Sequence, residues 1–195
     1  MRQIRPVSQD LYPAFLALSA QYLPGTAPET LRALLQRQPQ LCLCLLLEGR
    51  LQGVCYGGPS PFGPGLLGLE GIAVAADFQN RGHGSALLAA FEAAGLASGF
   101  SGVSLGCDGG RAKAFYERNG YRAIEWKLLA KEGLWRSSPA AGLVARLERQ
   151  GPYDKLVFPL PLPQGLLPED LRDALHGEHG FYVLEKSLSP RASQP

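Results

Sequence analysis

The spacing of apolar positions changes several times along the chain, and each change marks an element. Residues 2–7 read as a short strand. Ser8 is placed to cap a helix starting near Asp10, with Leu11, Phe15 and Leu18 along one face. Pro24, Gly25 and Pro28 break the chain. Leu31, Leu34 and Leu35 then mark a second helix, which Pro39 stops. Residues 40–47 carry an unbroken apolar run after Gln40, Glu48-Gly49-Arg50 reads as a turn, and 51–56 resumes as a strand, so the pair predicts a hairpin. Residues 57–65, crowded with glycine and proline, are expected to be irregular. A strand is predicted at 66–74, an Ala/Leu-rich helix at 82–98 with Leu87, Leu88 and Phe91 inward, and a strand at 103–107. A short helix at 111–119 ends at Gly120, and a strand follows at 121–130. The stretch 132–178 reads as an irregular, proline-rich insertion punctuated by Pro159, Pro161, Pro163 and Pro168. Within it, helices are expected at 139–149 and 168–176 and a strand at 155–160. A strand at 181–188 closes the order. Strands mixed with crossover helices predict an α/β fold with a mixed sheet.

Composition narrows the class. At 195 residues the chain suits a single domain, and 46% hydrophobic with 18% charged residues is a globular balance. Twenty-four glycines and sixteen prolines imply many turns. The net charge is +2 and the basic residues are scattered, so no phosphate-tracking surface for nucleic acid is indicated. The longest apolar run, 41–47, is too short to span a bilayer, and no signal-peptide core precedes the first strand. Cys42, Cys44, Cys55 and Cys107 sit in apolar strand contexts without Cys-x-x-Cys spacing, which reads as reduced core thiols. A cytoplasmic protein with no membrane partner is expected, either a monomer or a homodimer.

The stretch 69–88 carries the candidate chemistry. A strand enters a turn containing Gly82 and Gly84, and a helix leaves it. That arrangement aims backbone N–H groups and the positive end of a helix dipole at one place, where a phosphate can sit, and Arg81 adds a fixed charge. The turn is not the dinucleotide fingerprint, whose third glycine would fall at Leu87, nor a Walker loop, which needs Gly-Lys-Ser/Thr. A plain glycine-bearing turn is the structural alternative.

Gln79-x-x-Gly82-x-Gly84-Ser85-Ala86 resembles the pyrophosphate-binding signature of the GNAT N-acetyltransferase superfamily. About thirty residues on, Ala112-x-x-x-Tyr116-x-x-x-Gly120-Tyr121 resembles its second motif. The two motifs stand in the family's order and distance, and the resemblance covers the elements of residues 1–131 and the last strand. It departs at Gly109, where the family often carries Asn; a side-chain contact is lost there, and Asp108 is the candidate to replace it.

The resemblance implies a GNAT-like fold: a mixed, mostly antiparallel sheet with two central splayed parallel strands, here 66–74 and 103–107, and helices on both faces. It implies acetyl-CoA as co-substrate and no metal. Ile72, Ala73 and Val74 would pair with the pantetheine, and the turn formed by Gln79, Asn80, Arg81, Gly82, His83, Gly84 and Ser85 would receive the pyrophosphate. The implied reaction is acetyl transfer to an amine, of a small molecule or of a protein. In a regular strand the side chains of residues 70, 72 and 74 share a face. Glu70 then reads as the base, as a contact to a cationic substrate, or as a structural ion-pair partner. Tyr116 reads as the acid for the leaving thiolate, or as packing against pantetheine. The Val74 N–H is the candidate oxyanion donor. His176-x-x-His179 has a ligand-like spacing but no third ligand in view. Trp126 and Trp135 read as core or pocket wall, and Phe62 as a residue within reach of substrate. From other classes, a non-catalytic acyl-CoA-binding or partner-binding module and a plain nucleotide-binding domain remain open.

Overall fold

The computed structural model of the chain describes residues 1–162 and 166–189. The described residues divide into two compact units, residues 1–105 with 187–189, and residues 106–186.

In the first unit the strands are β1 (Arg2–Pro6), β2 (Cys42–Leu47), β3 (Arg50–Pro59), β4 (Leu66–Val74) and β5 (Gly102–Cys107), side by side in that order. Neighbours are antiparallel except β4 and β5, the one parallel pair among the described strands. Alternation along the strands sorts two apolar faces. Cys42, Cys44, Val54 and Tyr56 meet α1 (Tyr12–Tyr22) and α2 (Pro28–Arg37) through Phe15, Leu31 and Leu35. The other face meets α3 (His83–Ala97), whose Leu87, Leu88 and Phe91 are buried. β3 continues through Gly57 and Gly58, which were expected to be irregular, to Pro59. Glycine is required at 57 because a Cβ there would collide with the Gly68 backbone and the Phe91 ring.

In the second unit the strands β9 (Gly177–Ser187), β6 (Arg122–Lys131), β8 (Tyr153–Pro159) and β7 (Arg146–Gln150) follow one another antiparallel, in that order. α4 (Gly110–Arg118) precedes β6, and α5 (Pro168–Ala174) precedes β9. The expected helix at 139–149 is absent. Residues 139–143 form a 3-10 turn behind Pro139, and 146–150 instead pair with β8, so the middle of the stretch read as an irregular insertion is a hairpin. Pro163 lies outside the described residues. β9 begins four residues earlier than expected, because Gly177 and Gly180 let its backbone approach Leu128 and Trp126 of β6, where a Cβ would not fit. Trp126, Trp135, Leu156, Phe158 and Leu171 form this unit's core. No helix among the described residues is long and apolar enough to cross a membrane.

Candidate active site

β4 pairs with β5 only over Leu66, Leu67 and Gly68, and then continues alone to Val74. Its other edge stays on β3 throughout. The Ala75 N–H donates to the Gln52 carbonyl at 2.8 Å, and this fixes the parity of the ladder. Ala73 turns its N–H and C=O to β3, whereas Ile72 and Val74 turn theirs to the open edge. Of the three residues expected to pair with a pantetheine, two offer groups to it and Ala73 does not. The Val74 carbonyl is already occupied, accepting from the Gln79 side-chain amide at 2.9 Å, so Val74 presents its N–H alone. Motif spacing gave no sign of that role for Gln79.

The register slips between Tyr56 and Gly57: Tyr56 faces Gly71, Gly57 faces Leu69, and Glu70 is the extra residue of a β-bulge. The bulge overturns the expectation that Glu70 shares a face with Ile72 and Val74. Glu70 lies instead on the α1/α2 face with Gly71 and Ala73, and its Oε1 is 3.6 Å from the point a Gly58 Cβ would occupy. Glu70 is exposed along the strand, yet surrounding protein desolvates its carboxyl enough to raise its pKa above the ordinary value. Its charge is felt by the buried Cys42, whose thiol burial pushes up to about 12, and by Tyr56, also raised by burial.

Beyond Val74 the chain makes a 3-10 turn at Ala76–Phe78, tied to α1 by the Ala76 N–H donating to the Tyr22 hydroxyl at 3.2 Å. Asn80 (φ +59°) and Gly82 (φ +75°) then take left-handed conformations that fold the backbone into a cradle. Gly82 caps α3 without a side chain, so the N–H groups of His83, Gly84 and Ser85 have no intrahelical acceptor and stand at the positive end of a fifteen-residue helix. Arg81 is exposed, its guanidinium 5.7 Å from the Phe78 ring centre. The Nδ1 of His83 is buried without a hydrogen-bond partner. An open strand edge running into an uncapped helix start fits an extended amide chain that ends in a diphosphate, the chemistry of CoA.

Tyr116 lies on α4, half-buried, with edge-on contacts to Phe115 (5.1 Å between ring centres) and Tyr121 (5.7 Å). Gly120 (φ +88°) closes the helix as expected, and Lys186 donates to the Asn119 carbonyl at 2.9 Å. At the other end, Gly109 has φ +105° and ψ −153°, a region that is essentially glycine's own. A Cβ there would stand 3.2 Å from the Tyr182 ring, so an asparagine does not fit this backbone. The Asp108 carboxylate is 3.3 Å from His179 Nε2 of β9. Trp126 and Trp135 are core residues. The Phe62 N–H donates to Ser60 Oγ, which is itself hydrogen-bonded to Ser104.

Residues 6–121 match the model of the acetyltransferase (GNAT) family. No curated protein matches the chain. Among solved structures, Ard1 from Thermoplasma volcanium superposes with a TM-score of 0.62 at 14% identity, over 97% of this chain and 99% of that one. The ribosomal-protein-S18-alanine N-acetyltransferase of Escherichia coli gives 0.59 at 14% identity, over 100% and 99%. Arabidopsis thaliana Naa50, in complex with the bisubstrate analogue CoA-Ac-MVNAL, gives 0.59 at 13%, over 95% and 98%. At such identities the likeness is one of fold. The family match covers more than half of the sequence, in the segment that holds both motifs, and the chain belongs to the GNAT acetyltransferase family.

Proposed function

We propose that the protein moves an acetyl group from acetyl-CoA to a primary amine, with Glu70 as the base and Tyr116 as the acid. Acetyl-CoA supplies the acetyl group activated as a thioester. Ile72 and Val74 hold the pantetheine along the open edge of β4, and the backbone of residues 79–85 holds the diphosphate. An alkyl ammonium has a pKa near ~10.4 and must shed a proton before its nitrogen can attack. Glu70 takes that proton, directly or through a water, and a raised pKa makes its carboxylate the stronger base. The new N–C bond replaces the C–S bond. The Val74 N–H steadies the carbonyl oxygen, and Tyr116 returns a proton to the sulfur. Residues 132–178 are an insertion into one acetyltransferase domain and shape the acceptor side.

The observation that carries this reading is the open edge of β4 leading into an uncapped α3, with a desolvated carboxylate lifted out of the strand by a bulge. Thiol release from acetyl-CoA, followed with a panel of amines, tests it. Release that rises with amine and yields the amide supports transfer. Tight acetyl-CoA binding without release leaves a binding module.

A further inference from the structure

The second unit holds a cavity of about 250 Å³ that none of the chemistry above uses. Gly180 of β9 and Trp126 of β6 both line it, and the nitrogen edge of the indole lies over the glycine: a Cβ at 180 would stand 3.1 Å from Trp126 Nε1. Trp126 is only 3% exposed, and a buried indole normally gives its N–H to an acceptor. Trp135 does so, to Asp154. Among the described residues the Trp126 N–H has no acceptor, and the cavity is the space beside it.

Further groups meet at the same walls. Gly109 caps α4 without a side chain, so the N–H groups of Gly110, Arg111 and Ala112 have no intrahelical acceptor and stand at the positive end of a nine-residue helix, with Gly109 and Gly110 in the cavity wall. α5 contributes one charge of each sign. Glu169 and Arg172 both line the cavity one helical turn apart, a spacing that suits an ion pair, yet they do not pair with each other. Among the described residues Arg172 has Asp173 as its one ionic neighbour, at 3.6 Å, and Glu169 has none. Asp108, in the same wall, is already turned to His179.

We propose that this cavity binds a small free α-amino acid. The carboxylate of the ligand takes the Trp126 N–H, the start of α4 and Arg172, and its ammonium faces Glu169. A plain carboxylate would meet Glu169 with no cation between them, and a plain amine would face Arg172 and leave the indole N–H unmet. The volume lies below the roughly 300–1,000 Å³ of sites for drug-sized ligands, which suits a ligand of amino-acid size.

Such binding needs no acetyl-CoA, so the protein is titrated alone by calorimetry with L-alanine, propionate and ethylamine. Alanine is expected to bind with a Kd of about 1 mM or below, and the other two at least about tenfold more weakly, because each lacks one of the two charges. Glu169→Gln should erase the preference over propionate, and Arg172→Gln the preference over ethylamine. Trp126→Phe keeps a ring and removes the N–H, and should weaken alanine about tenfold. If that core variant folds poorly, the two α5 variants decide, since both side chains are exposed. A wild-type protein that binds none of glycine, alanine, serine and leucine overturns the proposal. So does propionate or ethylamine bound as tightly as alanine, or a pair of α5 variants whose preferences are unchanged. A uniform loss of all three ligands in the α5 variants would mark a structural role for that helix and overturn the assignment of its charges.

Discussion

On the proposed reading, catalysis and stability pull in opposite directions at Glu70. Burial raises the folded pKa above the ordinary 4.5, so the folded state favours the protonated acid. That contribution is present below the ordinary value and is lost as pH rises through the raised one; at neutral pH the ionised carboxylate is held at a cost. Glu70→Gln keeps the shape and removes the charge. Its turnover should fall by ~10² or more at neutral pH and recover in part at high pH, where free amine accumulates. Its thermal midpoint at pH 7 should equal or exceed that of the wild type. A raised KM with normal turnover would make Glu70 a binding contact instead. Tyr116→Phe keeps both edge-on ring contacts and removes only the hydroxyl. A thiolate is already a fair leaving group, so turnover should fall only ~10- to 100-fold with acetyl-CoA affinity little changed. The candidate residues were legible in the motifs, but their directions were not. One extra residue against Tyr56 and Gly57 moves Glu70 to the opposite face from Ile72, and strand periodicity has no term for a bulge. The Gln79 amide reaches the Val74 carbonyl only because the intervening 3-10 turn folds it back, which no motif spacing announces.

At the scale of elements, the turn into α3 was read directly from sequence because its chemistry is local. Gly82 must be left-handed and α3 must start without a capping side chain, and both follow from glycine at that point. A Cβ at Gly82 would meet no atom within 4 Å, so Gly82→Ala tests the backbone angle alone. It should cost about 1 kcal/mol in urea unfolding. Gly84→Asp puts a carboxylate among the N–H groups proposed to hold the diphosphate. Acetyl-CoA affinity should drop by more than ~10²-fold, two steps of ~1.4 kcal/mol, in calorimetric titration. Unchanged affinity in the folded variant removes the phosphate role of the turn. The segment after β6 was misread for the opposite reason. The β7 sequence, Arg146 to Gln150, alternates weakly and becomes a strand through its partners. Lys127 of β6, nearly buried, reaches Glu148 of β7 at 3.1 Å, and Arg146 reaches Glu148 and Glu125. Such cross-strand charges are invisible until the register is known.

Over the whole molecule, acid sensitivity is expected to follow the second unit, and the chain carries its own probe there. Both tryptophans, Trp126 and Trp135, lie buried in that unit's core. The Trp135 indole N–H donates to the buried Asp154 at 2.7 Å, and the Gly133 N–H reaches the same oxygen at 3.3 Å, so one carboxylate anchors the turn after β6. Those bonds, the indole's first, hold the Asp154 pKa below the ordinary 3.8. Glu148 is held low as well: burial opposes its ionisation, but bonds from Arg146 and Lys127 prevail. For a depressed carboxylate the stability is complete above the unfolded pKa and is lost as pH falls through the folded one. Melts followed by tryptophan emission should therefore hold steady from neutral pH to about 5 and decline below ~4. Asp154→Asn accepts the indole hydrogen but carries no charge. It should melt several degrees lower than the wild type at pH 7, and the gap should narrow as pH falls below the ordinary aspartate value. A gap that stays constant down to pH 3 would mean that packing at Asp154, not its charge, holds the turn.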